Sequence, residues 1–277
     1  MRVVILTSIE RGFASVCLPH LVKHSGAEIV AVILAEGPQV SRVKRLRQIT
    51  RKVATIGLRG AINGLRMRRW YGDDVAALLA IESLTTLSPK LGVPLLRTPA
   101  VNDDHTVSLM RDAGSDLALS LGNGWISPRV FSIPRHGMIN VHHELLPEHQ
   151  NAQSVIWSIA DGKRTTGYTI HRVERTIDTG AILARVERPI AFRQTLAETV
   201  SATYAELMVD SGRSLAEVIR DWPRVAAAAM AQGSGRRFTT PTWAEYRSIE
   251  RRFAALRGKV AAAPPASGPP APTDRSA

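Results

Sequence analysis

The chain has 277 residues and a formal net charge of +12, with 44% hydrophobic and 22% charged residues, a composition typical of globular proteins with one large domain or two small ones. The single cysteine, Cys17, excludes an internal disulfide and any multi-cysteine metal site, and it fits a reducing compartment. The first apolar run is too short for a signal peptide, and no run approaches the roughly 18 apolar residues of a membrane span. We therefore expect a cytoplasmic protein.

The first part of the chain alternates short apolar runs with amphipathic stretches. The predicted strands are residues 3–6, 29–34, 93–97, 116–122 and 137–142. The predicted helices are residues 13–24, 74–92, 104–114 and 152–162. Strands that alternate with helices predict an α/β fold with a mostly parallel, doubly wound sheet and flanking helices.

The pattern changes after Gly162. Two further strands are predicted at residues 166–173 and 181–189, joined by the loop ERTIDTG, and a long helix at 196–222 opens with a Thr195–Glu198 capping box. We expect residues 1–233 to form the main domain and 234–258 a short C-terminal extension with a small strand and a final helix. Residues 259–277 are rich in Pro, Ala and Ser, which predicts a disordered tail.

A basic segment accounts for most of the net charge. Between Arg42 and Arg69 there are ten Lys or Arg residues and no Asp or Glu, and apolar residues at helical spacing predict one or two basic amphipathic helices within an insert at 38–73. Four interpretations stay open. The segment could hold a phosphorylated or acidic acceptor, contact nucleic acid, lie on a membrane surface or partner, or be a solvated helix face.

Polar residues at the ends of predicted strands mark a candidate site, because ligands of open α/β sheets bind outside the carboxyl ends of strands. In the strand MINVH, Asn140 and His142 project from the same face. An amide donor beside an imidazole suits a reaction that builds negative charge on an oxygen while an amine loses a proton. Asp178, in the loop TIDTG, could fold back and orient His142. Capping of a strand end and ordinary turn chemistry would also explain these residues.

The segment HGMINVHHELLPEHQNAQSVIWSIADGKRTTGYTIHRVERTIDTGAIL resembles the core of the folate-dependent formyltransferases. That family includes methionyl-tRNA formyltransferase, glycinamide ribonucleotide transformylase, formyltetrahydrofolate deformylase and the sugar-nucleotide N-formyltransferases. The shared pattern is an Asn-x-His strand, a Leu-Pro turn, a helix, a G-x-T-x-H strand and an Asp-x-Gly loop. The resemblance spans about residues 116–186 and implies a Rossmann-like catalytic domain.

The resemblance implies that 10-formyltetrahydrofolate donates a formyl group to a primary amine, without a metal. It assigns catalysis to Asn140, His142 and Asp178, with His171 more structural than catalytic. It also implies that the pterin ring of the donor is bound by the loop after the fourth strand and by the Asp178 loop. The residues so implied are Leu121, Gly122, Asn123, Gly124, Trp125, Ile126, Thr176 and Ile177.

Two positions depart from the family pattern. Glu144 replaces a small residue such as Ser, and Asn151 replaces Gly; together with His143 they are the candidate acceptor-binding residues. The sequence favours a small amine acceptor, such as an amino sugar or a nucleotide-linked sugar, because little chain is left for a tRNA-gripping C-terminal domain. A tRNA formyltransferase, a 10-formyltetrahydrofolate hydrolase and a non-catalytic folate-binding protein stay open, as does a homodimer.

Overall fold

The computed structural model describes residues 1–37 and 42–261, and it is built around one seven-stranded sheet. The strands are β1 Arg2–Thr7, β2 Glu28–Ala35, β3 Leu95–Thr98, β4 Leu117–Ser120, β5 Met138–His142, β6 His149–Gln150, β7 Thr165–Arg172, β8 Ile182–Pro189 and β9 Arg236–Arg237. The helices are α1 Phe13–His24, α2 Arg42–Tyr71, α3 Asp73–Leu78, α4 Leu84–Lys90, α5 Asp104–Asp112, α6 Pro128–Phe131, α7 Ile156–Ala160, α8 Leu196–Arg220, α9 Trp222–Ala227 and α10 Trp243–Ala261.

The main sheet has the strand order β3-β2-β1-β4-β5-β7-β8. The five strands from β3 to β5 pair in parallel, whereas β7 and β8 add on in antiparallel fashion. Strands β6 and β9 form a separate pair. The carboxyl ends of β1, β4 and β5 therefore meet at the same edge. The strand order runs from β1 to β2 and β3 on one side and to β4 and β5 on the other, so the topological switch point lies beside β1.

Two hydrophobic cores cover the two faces of the sheet, because successive side chains of a strand point to opposite faces. Val3 and Ile5 of β1 belong to the larger core, which includes residues of α1, α2, α8 and α10. Val4 and Leu6 belong to the smaller core, which α5 and α6 cover. Helices on both faces of a mostly parallel sheet confirm the predicted α/β, Rossmann-like, doubly wound class.

Some predicted helices differ from the observed ones. The single helix predicted at 74–92 is wrong: Ala80 adopts a φ of 47°, which ends α3, and Ser83 then caps α4 by accepting from the Thr86 amide. The helix predicted at 152–162 is reduced to α7, since Val155 adopts a φ of 71° directly before it. The capping box of Thr195 and Glu198 is present at the start of α8.

The basic segment forms the long helix α2, with a kink where Gly57 has φ 73° and ψ 162°. Its inner face, at Ile56, Asn63, Met67 and Trp70, is buried against α8 and α10. Residues 38–41 of the predicted insert and 262–277 of the predicted tail lie outside the described residues. In the described ranges, the helices are all too short or too polar to cross a bilayer.

Candidate active site

A cavity of about 580 Å³ opens at the carboxyl ends of β1, β4 and β5. Its walls combine glycine-rich loops, three histidines and one end of α2. The lining residues are Ile9, Phe13, Arg68, Tyr71, Gly72, Ser120, Gly122–Ile126, Asn140–His143, Asn151–Ser154, His171, Val173, Glu174, Thr176–Asp178 and Tyr204. All three residues predicted to be catalytic are among them.

Strand β5 places Asn140 and His142 on one face, two residues apart and partly buried. The Nε2 atom of His142 lies 2.7 Å from the backbone oxygen of His149. Because a carbonyl oxygen only accepts, Nε2 must carry the proton. The other ring nitrogen, Nδ1, lies 3.6 Å from Oδ2 of Asp178 and is protonated only in the imidazolium form. When its ring is protonated, His142 therefore forms an ion pair with Asp178.

Asp178 is held over the end of β5 by a strained loop conformation and by its hydrogen bonds. Its φ is 56°, and its Oδ2 accepts the Asn151 backbone amide at 2.9 Å. Burial raises the pKa of the carboxyl, but the contact with His171, the charge of His142 and the Asn151 amide outweigh it and lower the pKa to about 2. Asp178 is therefore a carboxylate at neutral pH.

His171 completes this cluster from the neighbouring strand. The antiparallel register pairs it with Asn140, and its Nε2 lies 3.3 Å from the Asn140 Nδ2 and 3.5 Å from Oδ1 of Asp178. Its Nδ1 donates to the Arg172 carbonyl at 2.9 Å, so Nε2 accepts from Asn140 when the ring is neutral and donates to Asp178 only when the ring is protonated. His171 thus positions two of the three predicted catalytic side chains.

A buried ionic cluster lies behind His142. The ring of His149 lies between Glu144, 3.1 Å away through Nδ1, and Asp161, 2.9 Å away through Nε2. Burial lowers the pKa of His149, but the two carboxylates, Glu144 first, raise it overall. The two carboxylates hold His149 in place, and the backbone carbonyl of His149 accepts the hydrogen bond from His142. The sequence did not predict this role, because any residue type can provide a backbone carbonyl.

The loop after β4 supplies most of the predicted donor-binding residues. Asn123 joins the ends of β1 and β4, because its Nδ2 donates to the Leu6 carbonyl at 2.7 Å and to Ser120 Oγ at 3.1 Å. The indole of Trp125 donates to the Arg175 carbonyl at 2.9 Å and so joins this loop to the Asp178 loop. Gly122, Gly124, Ile126, Thr176 and Ile177 also line the cavity, whereas Leu121 is buried in the core beneath it.

The three predicted acceptor-binding residues have different positions. Asn151 lines the cavity with a φ of 51°, a conformation that Gly and Asn adopt most readily. His143 is buried edge-on between Phe13 and Tyr204, and burial followed by the charge of His142 lowers its pKa to about 3. It stays neutral and reaches the cavity from the core side.

Glu144 does not match the expected acceptor contact. It is 0% exposed, and its carboxylate accepts from the Val155 amide at 2.7 Å and from Ser158 Oγ at 3.1 Å. Glu144 is not among the residues that line the cavity. Its position indicates a structural role in the cluster around His149.

The C-terminal end of α2 forms part of the cavity wall, which the sequence analysis did not predict. Arg68 and Tyr71 both line the cavity. The Tyr71 hydroxyl donates to the Ser154 carbonyl at 2.6 Å, and burial, with the charge of Glu144, raises its pKa well above the usual range. Of the described residues that line the cavity, Arg68 alone is an Arg or Lys.

Metal binding has no support in the described part of the chain, where no group of His, Cys, Asp and Glu side chains has a metal-holding arrangement. The cavity is lined by hydrogen-bond donors, by backbone groups and by the two carboxylates of Glu174 and Asp178.

Comparisons with known proteins identify the family. The family model for formyl transferases matches residues 1–210. The chain is 32% identical over 137 residues to methionyl-tRNA formyltransferase of Thermodesulfovibrio yellowstonii, covering 48% of this chain and 44% of that protein. It is 35% identical over 146 residues to methionyl-tRNA formyltransferase of Deinococcus radiodurans, covering 50% and 45%. The matched part is thus under half the length of these curated relatives.

Solved structures show the same fold at low sequence identity. Glycinamide ribonucleotide transformylase 1 of Symbiobacterium toebii has a TM-score of 0.54 at 16% identity, covering 87% of this chain and 94% of that chain. A sugar N-formyltransferase of a Shewanella species has a TM-score of 0.52 at 16% identity, covering 91% and 87%. A sugar 3N-formyl transferase, solved in the presence of dTDP and 5-N-formyl-THF, has a TM-score of 0.51 at 14% identity, covering 91% and 79%. Because the family model matches about three quarters of this chain, the chain belongs to the formyl transferase family.

Proposed function

We propose that the protein transfers a formyl group from 10-formyltetrahydrofolate to the primary amine of a small, negatively charged acceptor, such as an amino sugar that carries a phosphate or a nucleotide-linked amino sugar. The observation that carries the proposal is the convergence of Asn140, His142 and Asp178 in the wall of one cavity. These groups are an amide donor, an imidazole that can carry a proton and a carboxylate, which formyl transfer needs side by side.

The cavity has features that fit a reduced folate. Asn123 keeps its Oδ1 buried without a hydrogen-bond partner among the described residues, so it can accept from a ring amino group. Gly122 and Gly124 bring backbone groups to the cavity without side chains, and Trp125, 47% exposed, offers a flat apolar face nearby. When bound, 10-formyltetrahydrofolate supplies the activated formyl group, as the resemblance to folate-dependent formyltransferases implies.

The chemistry follows from the three side chains. The amine nitrogen bonds to the formyl carbon, the bond to the folate nitrogen breaks, and the amine proton moves to that nitrogen. Asn140 and protonated His142 would donate to the formyl oxygen as negative charge develops there, and one such donor is worth roughly 2.7–4 kcal/mol in other enzymes. Asp178, charged at neutral pH because its pKa is about 2, would orient the His142 ring and stabilise it when it is protonated.

The end of the cavity nearest α2 supports an anionic, hydroxyl-rich acceptor. Arg68 offers a guanidinium that has no ion-pair partner among the described residues, and such a group pairs well with phosphate or carboxylate. Beside it, Gln153 Oε1 and Ser154 Oγ are buried without partners in the described chain. Polar atoms of this kind are expected to bind hydroxyls of the substrate.

The names of the curated relatives favour a second candidate, formyl transfer to charged tRNA. The basic helix α2 could contact RNA phosphates, and binding would then weaken steeply as salt rises, because each neutralised phosphate releases counterions. A small acceptor should show a much weaker salt dependence. Measuring the Michaelis constant for each acceptor from low to high salt separates the two candidates.

A screen tests the proposal directly. The protein is incubated with 10-formyltetrahydrofolate and, in turn, with amino-sugar nucleotides, neutral amino sugars, glycine derivatives and aminoacyl-tRNA, and products are read by mass. We expect a formylated amino sugar, with the charged acceptor preferred over its neutral counterpart. Formate released at the same rate without any acceptor would instead indicate a hydrolase, and binding of the folate without turnover would indicate a non-catalytic folate-binding protein.

A further inference from the structure

The outward face of α2 carries an unusual number of exposed aliphatic side chains. Leu46, Ile49, Leu58, Ile62 and Leu65 are each between 52% and 65% exposed. Leu58, Ile62 and Leu65 follow the i, i+4, i+7 spacing and therefore form one stripe on the second half of the helix. Single exposed aliphatics are common on protein surfaces, but five on one helix mark an interaction site.

This stripe is not the side of α2 that packs on the hydrophobic core. The opposite side of the same helix turn is buried through Met67 and Trp70, and the Arg66 guanidinium donates to the Tyr246 hydroxyl of α10 at 3.2 Å. The second half of α2 is therefore anchored to the protein body by one face. Its aliphatic stripe points away from that body.

The exposed charged side chains on α2 itself are all positive. Arg47, Arg51, Arg59 and Arg69 are exposed on α2, and the sequence has no acidic residue between Arg42 and Arg69. A helix of this kind has aliphatic and cationic side chains next to each other on its outer surface. Its free energy falls when the aliphatic side chains leave water and when the cationic side chains bind negatively charged groups.

We propose that α2 docks the protein on an anionic lipid surface, with the aliphatic stripe in the headgroup–acyl boundary and the arginines among the negative headgroups. Such surfaces combine the two properties that the helix complements. Nucleic acid offers the negative charge but no apolar layer for Leu58, Ile62 and Leu65. A second copy docked through its own α2 would oppose two strongly positive helices.

The inference does not depend on the proposed chemistry, and lipid binding is measured without substrates. It has a consequence for the site, however, because Arg68 and Tyr71 of the same helix line the cavity. Docking through α2 would hold the cavity wall close to the bilayer, where an amine linked to a lipid headgroup or anchor is concentrated.

Vesicle flotation tests the inference with the whole chain. The vesicles are phosphatidylcholine alone, or phosphatidylcholine and phosphatidylglycerol in equal parts. We expect flotation only with the anionic vesicles, and a partition coefficient at least about tenfold lower for the Leu58→Ser/Ile62→Ser variant. Leu78→Ser is the matched control, since Leu78 is 60% exposed but lies on α3. An Arg51→Gln/Arg59→Gln variant should weaken binding and flatten its salt dependence.

Each alternative result overturns the proposal. Anionic vesicles that fail to retain the wild-type protein would exclude a lipid-docking role, and equal losses in the Leu58→Ser/Ile62→Ser variant and the control would exclude α2 as the surface. RNA binding that depends on the arginines but not on Leu58 and Ile62 would assign the helix to nucleic acid. A dimer in solution that the Leu58→Ser/Ile62→Ser variant dissociates, without vesicle binding, would assign it to a second copy.

Discussion

The charge on Asp178 should stabilise the folded protein, and the structure gives the size and the pH range of the effect. The carboxyl is buried, yet its pKa falls from 3.8 to about 2 because His171, His142 and the Asn151 amide favour the charged form. Each pH unit between the two values is worth about 1.4 kcal/mol. The carboxylate therefore contributes about 2 kcal/mol to the free energy of unfolding at neutral pH.

The sign follows from the lowered pKa. Above about pH 5 both the folded and the unfolded protein carry the charge, and the stabilisation is fully present. As the pH falls, the unfolded carboxyl binds its proton first, so about 1 kcal/mol is lost between pH 5 and pH 3 and about 2 kcal/mol by pH 2. The Asp178→Asn variant keeps the side-chain shape and lacks this titration.

Urea unfolding of wild type and Asp178→Asn at a series of pH values measures the effect. We expect the stability advantage of the wild type to shrink by about 2 kcal/mol between pH 5 and pH 2. The control is Asp112→Asn, which removes an exposed carboxylate on α5 outside the cavity. Parallel profiles for wild type and Asp178→Asn across this range would refute the reasoning, because they would show that the histidines do not hold the carboxyl in its charged form.

Two further substitutions test the acceptor end of the cavity and the packing of the Asp178 loop. Arg68→Ala should raise the Michaelis constant for an anionic acceptor about tenfold or more, with little change in kcat, whereas Arg251→Ala on α10 should not; equal constants for the two variants would remove Arg68 from acceptor binding. Gly180→Ala should lower the Tm by several degrees, since a Cβ at Gly180 would stand 2.0 Å from the Arg172 carbonyl oxygen. Gly233→Ala is its control, because a Cβ there meets nothing within 4 Å, and equal melting temperatures would contradict the proposed close approach.

The sequence predicted the sheet, and it selected Asn140, His142 and Asp178, which the structure brings to one cavity. Strands β1, β2 and β4 are continuous apolar runs, and such runs are typical of strands that are buried on both faces. The alternation in MINVH placed Asn140 and His142 on one face without any knowledge of the neighbours. The proximity of Asp178 followed from the family resemblance, because Asp178 lies 36 positions after His142 and no local pattern spans that distance.

Other features depend on long-range geometry that a sequence pattern does not contain. The role of His171 depends on the antiparallel register that pairs it with Asn140, and no local signal sets that register. Glu144 was expected at the acceptor because it departs from the family pattern beside the catalytic strand, but it is buried and paired with His149. The helix break at Ala80 depends on a positive φ that alanine rarely adopts. The helical pattern of the surrounding residues therefore did not predict a break there.

The central claim is that Asn140, His142 and Asp178 transfer a formyl group to an amine, and the steady-state rate of formylated product measures it most directly. With saturating 10-formyltetrahydrofolate and the acceptor preferred in the screen, we predict product from the wild type and a kcat at least about 100-fold lower in His142→Ala. Wild-type turnover in His142→Ala, or no formylated amine from the wild type with any acceptor, would contradict the account.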